Sequence, residues 1–159
     1  MAPVIAQMQI LPDDDLQAMA HYLASLGHVT QTPAVADAQV ARLEARADAA
    51  SVVTSSSARA FETACAVCHT QASVPTFGLR PSLAVNSAVR APVPDNVIRV
   101  ILHGANNPDF PARGIMPGFA KSMSDRKIAD IVRYVRARFA SDKPAWTDVD
   151  ARVKALRGH

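Results

Sequence analysis

Apolar residues recur at spacings of three and four in two segments of the chain, which is the pattern of an amphipathic helix. The first segment covers residues 11–27 (LPDDDLQAMAHYLASLG), and the second covers residues 123–140 (MSDRKIADIVRYVRARFA). Asp13 or Asp14 can cap the first helix, and Gly27 marks its end. Both segments therefore predict helices with one face that needs a packing partner.

The two predicted helices match each other at a constant offset of 112 residues, which is the separation of Leu16 and Ile128. The second helix has Ser124 or Asp125 as its cap. The shared acidic start and the Tyr-aliphatic pair favour a repeated element over a chance match between amphipathic helices. The corresponding residues are Leu16 with Ile128, Met19 with Ile131, Tyr22 with Tyr134, and Leu23 with Val135.

The sequence between these helices changes character several times. Residues 29–57 resemble a linker, with Thr, Gln and Pro at the start, a Ser/Thr run at the end and one Ala-rich stretch predicted to be helical. Residues 58–69 are predicted to form a helix that brings Phe61 and both cysteines to one side. Four prolines then predict that residues 70–94 form a loop with at most a turn or two of helix.

A further helix is predicted from Asp95 or Asn96 to Leu102, where Gly104 stops it. A loop rich in Pro, Asn and Gly follows, up to Gly118. The composition, with 49% hydrophobic and 5% aromatic residues, is typical of a soluble, mostly helical domain. No apolar run approaches the length of about 18 residues that a membrane span requires. We therefore expect an all-α fold.

The charge is distributed unevenly along the chain. Residues 1–57 hold two basic and six acidic residues, a net charge of −4, whereas residues 58–159 hold fifteen basic and eight acidic residues, a net charge of +7. The Lys and Arg residues of the second part are spread along the sequence and are not interleaved with aromatics. This pattern favours docking to an acidic protein partner, or simple solubility, over binding to nucleic acid.

The two cysteines of the chain, Cys65 and Cys68, lie three residues apart and are followed by His69. A C-x-x-C-H run is the attachment signal of c-type haem. Two thiols at one helical turn can each add to a porphyrin vinyl group, and the next residue points its imidazole at the iron. A thioredoxin-like dithiol needs a βαβ context, and a zinc site needs two further paired ligands. The sequence supports neither of these alternatives.

The residue at the sixth position of the iron separates electron transfer from gas binding. The candidates are Met116, Met123, His103 and, less favourably, His159. Met116 lies in GIMPGF, where Gly and Pro residues oppose helix formation and free the thioether to face the ring. Met123 begins the last amphipathic helix and is better explained as core packing, and His103 as a helix-end residue. We therefore expect His69 and Met116 to be the axial pair.

These motifs resemble the class I cytochrome c family over about residues 57–141: a first helix leading into CAVCH, a Pro-containing loop, a Met-Pro loop and a final helix with a Tyr. The resemblance implies that Phe61 packs near Tyr134. It also implies that the Pro81 carbonyl accepts the Nδ1 proton of His69, and that Leu83 lies on the haem.

A wider resemblance covers the whole chain. VIRVILHG, MPGFAKSMSDRKIADIVRYVRARF and KPAWTDVDARVKALR are similar to the last domain of multi-haem cytochrome c subunits of bacterial nicotinate or alcohol dehydrogenases. The resemblance implies four regions. These are the C-terminal helix of a preceding cytochrome c domain (1–28), a linker (29–57), a haem domain (58–141) and a C-terminal extension (142–159).

The expected function is one-electron transfer by covalent haem c, without an acid, base or nucleophile for catalysis. The resemblance implies a donor dehydrogenase subunit, and as acceptor another cytochrome, a quinone-linked complex or an oxidase, with membrane association only through a larger complex. The periplasm is the expected location, because haem attachment takes place outside the cytoplasm, although residues 1–10 lack a basic signal region. A gas-binding protein with a displaceable sixth ligand is the alternative, and a peroxidase using His103 is a weaker one.

Overall fold

The computed structural model of the chain describes residues 8–26, 33–50, 55–69, 82–105 and 115–158. The chain divides into two compact units, residues 1–38 and residues 39–159. Within the described ranges, no helix is long and apolar enough to cross a membrane.

The first unit contains helix α1, Asp13–Leu26. Its first turn closes when the amide of Leu16 donates to the carbonyl of Pro12 over 3.1 Å. This confirms the predicted helix. Most of its apolar stripe is exposed, however: no side chain of this described helix is buried, Leu16 is half-buried, and Tyr22 and Leu23 are 66% and 63% exposed.

The second unit is built from helices, as the all-α prediction required. Its one described β-type contact is an isolated bridge between Ala105 and Met116. Helix α2 contains the boundary between the two units. The helical elements are α2 (Pro33–Ala49), α3 (Ser55–Ala64), α4 (Ala66–His69), a 3₁₀ turn (Leu83–Val85), α5 (Ser87–Arg90), α6 (Asp95–His103), α7 (Asp125–Phe139) and α8 (Val149–Arg157).

Helix α7 lies at the centre of the second unit and packs against α3, α6 and α8. Ser124 is its N-cap, and the Ser124 hydroxyl accepts from the amide of Lys127 over 3.3 Å. The predicted apolar stripe is the buried face of the helix. The buried residues of α7 are Ile128, Ala129, Ile131, Val132, Tyr134, Val135, Arg136 and Phe139.

Phe61 joins α3 to α7. Its side chain is fully buried, and its ring centroid lies 5.1 Å from that of Tyr134 and 5.6 Å from that of Phe139. The predicted contact between Phe61 and Tyr134 is confirmed. Such tilted aromatic contacts contribute about 0.5–1.5 kcal/mol beyond the buried area, and they fix how the two helices cross.

The predicted helix over residues 58–69 is two helices, α3 and α4, with Cys65 at the junction. The Cys65 amide continues α3 by donating to the Phe61 carbonyl over 2.8 Å. Its carbonyl then accepts the first bonds of α4, from the amides of Cys68 at 3.1 Å and His69 at 3.0 Å. The single predicted helix is therefore interrupted at Cys65, where the hydrogen bonding of α3 ends and that of α4 begins.

The buried Arg136 of α7 connects the helix to neighbouring loops. Its guanidinium donates to the carbonyls of Val89 at 2.7 Å, Ala91 at 3.1 Å and Pro144 at 2.9 Å, and lies 4.5 Å from the ring centroid of Trp146. A buried charge is tolerated only when its donors are paired. Arg136 is therefore a polar anchor that holds the backbone at Val89–Ala91 and at Pro144 against α7.

The loop that carries Met116 is docked on the C-terminal end of α6. The backbones of Ala105 and Met116 exchange two hydrogen bonds of 2.9 Å. The amide of Phe119 donates to the Ile101 carbonyl over 2.9 Å, and that of Ala120 to the Leu102 carbonyl over 3.0 Å. The loop is therefore fixed to α6 through its own backbone amides and carbonyls.

Two glycines make this close approach possible. Gly104 ends α6, as predicted, with φ of 79°, and an added Cβ would lie 2.4 Å from the Met116 carbonyl oxygen. A Cβ on Gly118 would lie 2.7 Å from the His103 carbonyl carbon. Any side chain at either position would therefore push the Met116 loop away from α6.

We predict that Gly104→Ala destabilises the protein by about 2 kcal/mol or more, because the positive φ alone costs about 1–2 kcal/mol and a backbone clash adds to it. Gly158→Ala is the matched control, since its Cβ would meet nothing closer than 3.8 Å and φ there is −82°. Urea unfolding measures both variants. Equal losses in the two variants would contradict the close packing of the loop on α6.

Candidate haem site

An open, mainly apolar cavity of about 610 Å³, including its mouth, lies in the second unit. It brings together four residues that the sequence predicted for one site: Cys65, His69, Leu83 and Met116. Its wall is apolar apart from His69 and two asparagines. The lining residues are Phe61, Cys65, His69, Leu83, Asn86, Ala88, Val89, Asn96, Val97, Val100, Ile101, Met116, Ile131 and Val135.

Cys65 and His69 reach the cavity from the junction of α3 and α4. They are four residues apart and share one turn, because the His69 amide donates to the Cys65 carbonyl. Cys68 lies on the same turn and is half-buried, but it is not among the residues that line the cavity. Of the three residues predicted to lie on one side, Phe61 and Cys65 line the cavity and Cys68 does not.

The environment of Cys65 does not favour dithiol redox chemistry. Burial, followed by the charge of Cys68, raises the pKa of the Cys65 thiol to about 11. Reactive dithiols have a lowered pKa, since the thiolate is the nucleophile. The described residues also contain no cluster of three or more His, Cys, Asp or Glu side chains able to hold a metal ion, so the zinc alternative gains no support from them.

Met116 faces the same cavity from the loop on α6. Its side chain is half-buried, and its backbone is fixed by the bridge to Ala105. The competing ligands are placed less favourably: His103 is exposed, Met123 packs at the edge of the core, and neither lines the cavity. His159 lies outside the described residues, as does Pro81.

Helices α6 and α7 also form part of the cavity wall, which the sequence did not predict. Ile131 and Val135 project from α7, and Val97 and Ile101 from α6. The period of the apolar stripe predicts that these positions are buried, but it does not distinguish a cavity wall from a packed core.

Asn86 is a lining residue that the sequence analysis missed. Its side-chain oxygen caps α5 by accepting from the amides of Ala88 at 2.9 Å and Val89 at 3.2 Å. The Asn before a short helix was a visible capping signal. The cap fixes Val89, whose side chain is buried and lines the cavity.

The donor set fits a covalently attached haem. A thiol, an imidazole and a thioether line one apolar cavity, which combines an attachment point with a nitrogen and a sulfur ligand for iron. The apolar wall can cover the faces of a porphyrin, and the open mouth leaves room for its polar edge.

Comparisons with known proteins agree with this chemistry. Residues 53–135 match the family model described as cytochrome c oxidase, cbb3-type, subunit III. Over the full chain, 41% of residues are identical to a subunit of the nicotinate dehydrogenase of Pseudomonas putida. Identity is 34% to the cytochrome c subunit of a quinone alcohol dehydrogenase of Komagataeibacter europaeus, over 99% of the chain.

These relatives are much longer proteins. The chain spans 13% of the nicotinate dehydrogenase subunit and 34% of the alcohol dehydrogenase subunit. A gluconate 2-dehydrogenase cytochrome c subunit of Pantoea cypripedii is 30% identical over 87% of the chain, which spans 32% of that protein. The expected class I cytochrome c fold, covalent haem c and electron-transfer character are confirmed, and the chain belongs to the cytochrome c family, in the group of the cbb3-type oxidase subunit III.

Proposed function

We propose that Cys65 and Cys68 hold the haem through thioether bonds and that His69 and Met116 are its axial ligands. The observation that carries this proposal is the cavity, because its wall includes Cys65, His69 and Met116 together. Bound there, haem c supplies a one-electron ferric–ferrous couple. The protein orients the two ligands, excludes water from the ring faces and holds the thiols for attachment.

A saturated iron suits electron transfer better than gas binding. The backbone amide and carbonyl of Met116 are both bonded to Ala105, which fixes the main chain of Met116 beside the cavity. Met/His ligation also favours a relatively high reduction potential. The gas-binding alternative requires a displaceable sixth ligand, and nothing about the docked Met116 loop favours that.

For the biological setting, we propose that the chain is an electron-transfer module in the cytochrome subunit of a dehydrogenase complex. The support is the similarity to cytochrome subunits of dehydrogenases. The proposed acceptor is another cytochrome, a quinone-linked complex or an oxidase, and the proposed location is the periplasm. The net charge of +7 on residues 58–159 favours an acidic docking surface on the partner.

We further propose that residues 1–28 belong to a preceding cytochrome c domain. Helix α1 begins 112 residues before α7, at Asp13 against Asp125. In α7 the matching stripe contacts Phe61 and lines the haem cavity, whereas in α1 Met19, Tyr22 and Leu23 are exposed. By this correspondence, we propose that a second haem unit packs against the exposed face of α1.

Met116→Leu should remove the long-wavelength band that arises from Met sulfur on ferric iron and should lower the reduction potential. If Met116 is displaced in about 1% of molecules of the parent protein, its removal should raise carbon monoxide affinity of the reduced protein by about 100-fold. Met123→Leu is the matched control and should leave the band intact. A band that survives Met116→Leu but is lost in Met123→Leu would reassign the ligand.

Leu23→Asp and Val135→Asp test whether the stripe of α1 is open while the matching stripe of α7 is packed. Leu23→Asp should change the free energy of unfolding of the haem unit by less than about 0.5 kcal/mol. Val135→Asp should cost about 3 kcal/mol or more, because it buries an unpaired charge. In a chain extended upstream by a second CxxCH domain, Leu23→Asp should destabilise that added domain; no effect there would contradict the proposed domain.

A further inference from the structure

The C-terminal helix α8 ends in a contact that the electron-transfer chemistry does not explain by itself. The guanidinium of Arg157 donates to the carbonyl of Met123 over 2.8 Å and also to the carbonyl of Ala120, and it pairs with the carboxylate of Asp125. All three acceptors lie within residues 120–125, where the Met116 loop joins the first residue of α7.

The same segment is held from its other side by α6. The amides of Phe119 and Ala120 donate to carbonyls of α6, as described above, and the Met123 amide donates to the Phe119 carbonyl over 3.0 Å. The amides of Phe119 and Ala120 are thus engaged by α6 and that of Met123 by the turn itself, while the carbonyls of Ala120 and Met123 are engaged by Arg157. Removing Arg157 would leave those two carbonyls without this charged donor.

Helix α8 is a firm support for such a contact. Val149 and Val153 are almost fully buried in the core, and Arg152 pairs with Asp95 of α6 at 2.5 Å. The planar guanidinium can satisfy several acceptors at once in a fixed geometry, which a lysine cannot do. Arg157 therefore extends from a helix packed in the core to a loop whose other backbone bonds run to α6 and within its own turn.

Resting on the proposed ligation by Met116, we propose that Arg157 is a positioning residue for the sixth ligand. It limits the freedom of the loop that carries Met116 and so keeps the thioether at the iron. The C-terminal extension, which contains Arg157, thus acts on the haem site through the Met116 loop. Mutation of a group that positions a metal ligand without touching the metal commonly lowers metal affinity or activity by about 10–100-fold.

The test compares Arg157→Ala, Arg157→Lys and Arg152→Ala in the haem-loaded protein. Imidazole titration of the ferric form measures how often the sixth position is open, because affinity rises in proportion to the open fraction. Arg157→Ala should bind imidazole about tenfold more tightly than the parent, and Arg157→Lys should be intermediate. Arg152 lies on α8, as Arg157 does, but it pairs with Asp95 of α6. Arg152→Ala removes this ion pair and should leave the imidazole affinity unchanged.

Hydrogen exchange supplies a readout that does not depend on the iron. The amides of Phe119 and Ala120 should exchange about tenfold faster in Arg157→Ala than in Arg152→Ala, when both are compared under conditions of equal global stability. Unchanged imidazole affinity and unchanged exchange in Arg157→Ala would overturn the positioning role. If Arg152→Ala also raised the imidazole affinity and the exchange rates, the cause would be a general loosening of α8. That result would overturn the positioning role as well.

The two proposals fail in different ways. If the parent protein lacks the Met–iron band, ligation by Met116 is wrong, and the positioning of a sixth ligand by Arg157 is wrong with it. If the band is present and Arg157→Ala leaves it, the imidazole affinity and the exchange rates unchanged, ligation by Met116 stands and only the positioning role is overturned.

Discussion

The packing of Phe61 against Tyr134 and Phe139 fixes how α3 lies on α7, and the haem cavity depends on that crossing. Cys65 and His69 follow Phe61 within about two helical turns, so the aromatic contact determines where the thiol and the imidazole stand. Ile131 and Val135 of the same helix α7 form part of the cavity wall. One buried aromatic contact therefore aligns the attachment helix with the surface that receives the ring.

The part of the cavity wall at Met116 is built by a different kind of interaction. Met116 is placed by backbone hydrogen bonds to the end of α6 and by the absence of side chains at Gly104 and Gly118. A thioether is a neutral, weak ligand, so its retention depends on how firmly its loop is held. Arg157 connects the segment that follows this loop to α8, whereas Arg136 connects α7 to the backbone at Val89 and Pro144.

Much of this arrangement could be predicted from the sequence, because its signals are local. Helical period, capping residues and Gly104 predicted α1, α6 and α7, and the C-x-x-C-H run predicted the chemistry. The division of the predicted helix at Cys65 was not visible, since it depends on which carbonyl accepts the next turn's amides. The exposure of the α1 stripe was not visible either, because periodicity shows an apolar face but not what covers it.

Contacts between distant residues were the hardest to predict. Arg157 lies more than thirty residues from the carbonyls of Ala120 and Met123, and no local pattern connects them. Asn86 could have been found from its capping position, but its place beside the cavity required the path of the chain. Polar anchors of this type are identified by their acceptors, which are backbone groups and leave no side-chain signature in the sequence.

The most direct test of the account is the proton NMR spectrum of the reduced, diamagnetic haem protein with its methionine methyl groups isotopically labelled. A methyl group that lies against the haem face is shifted far upfield by the ring current. We predict one such methyl, assigned to Met116 by its loss in a Met116 variant. An upfield methyl assigned to Met123, or none at all, would contradict the proposed ligation of the iron by His69 and Met116.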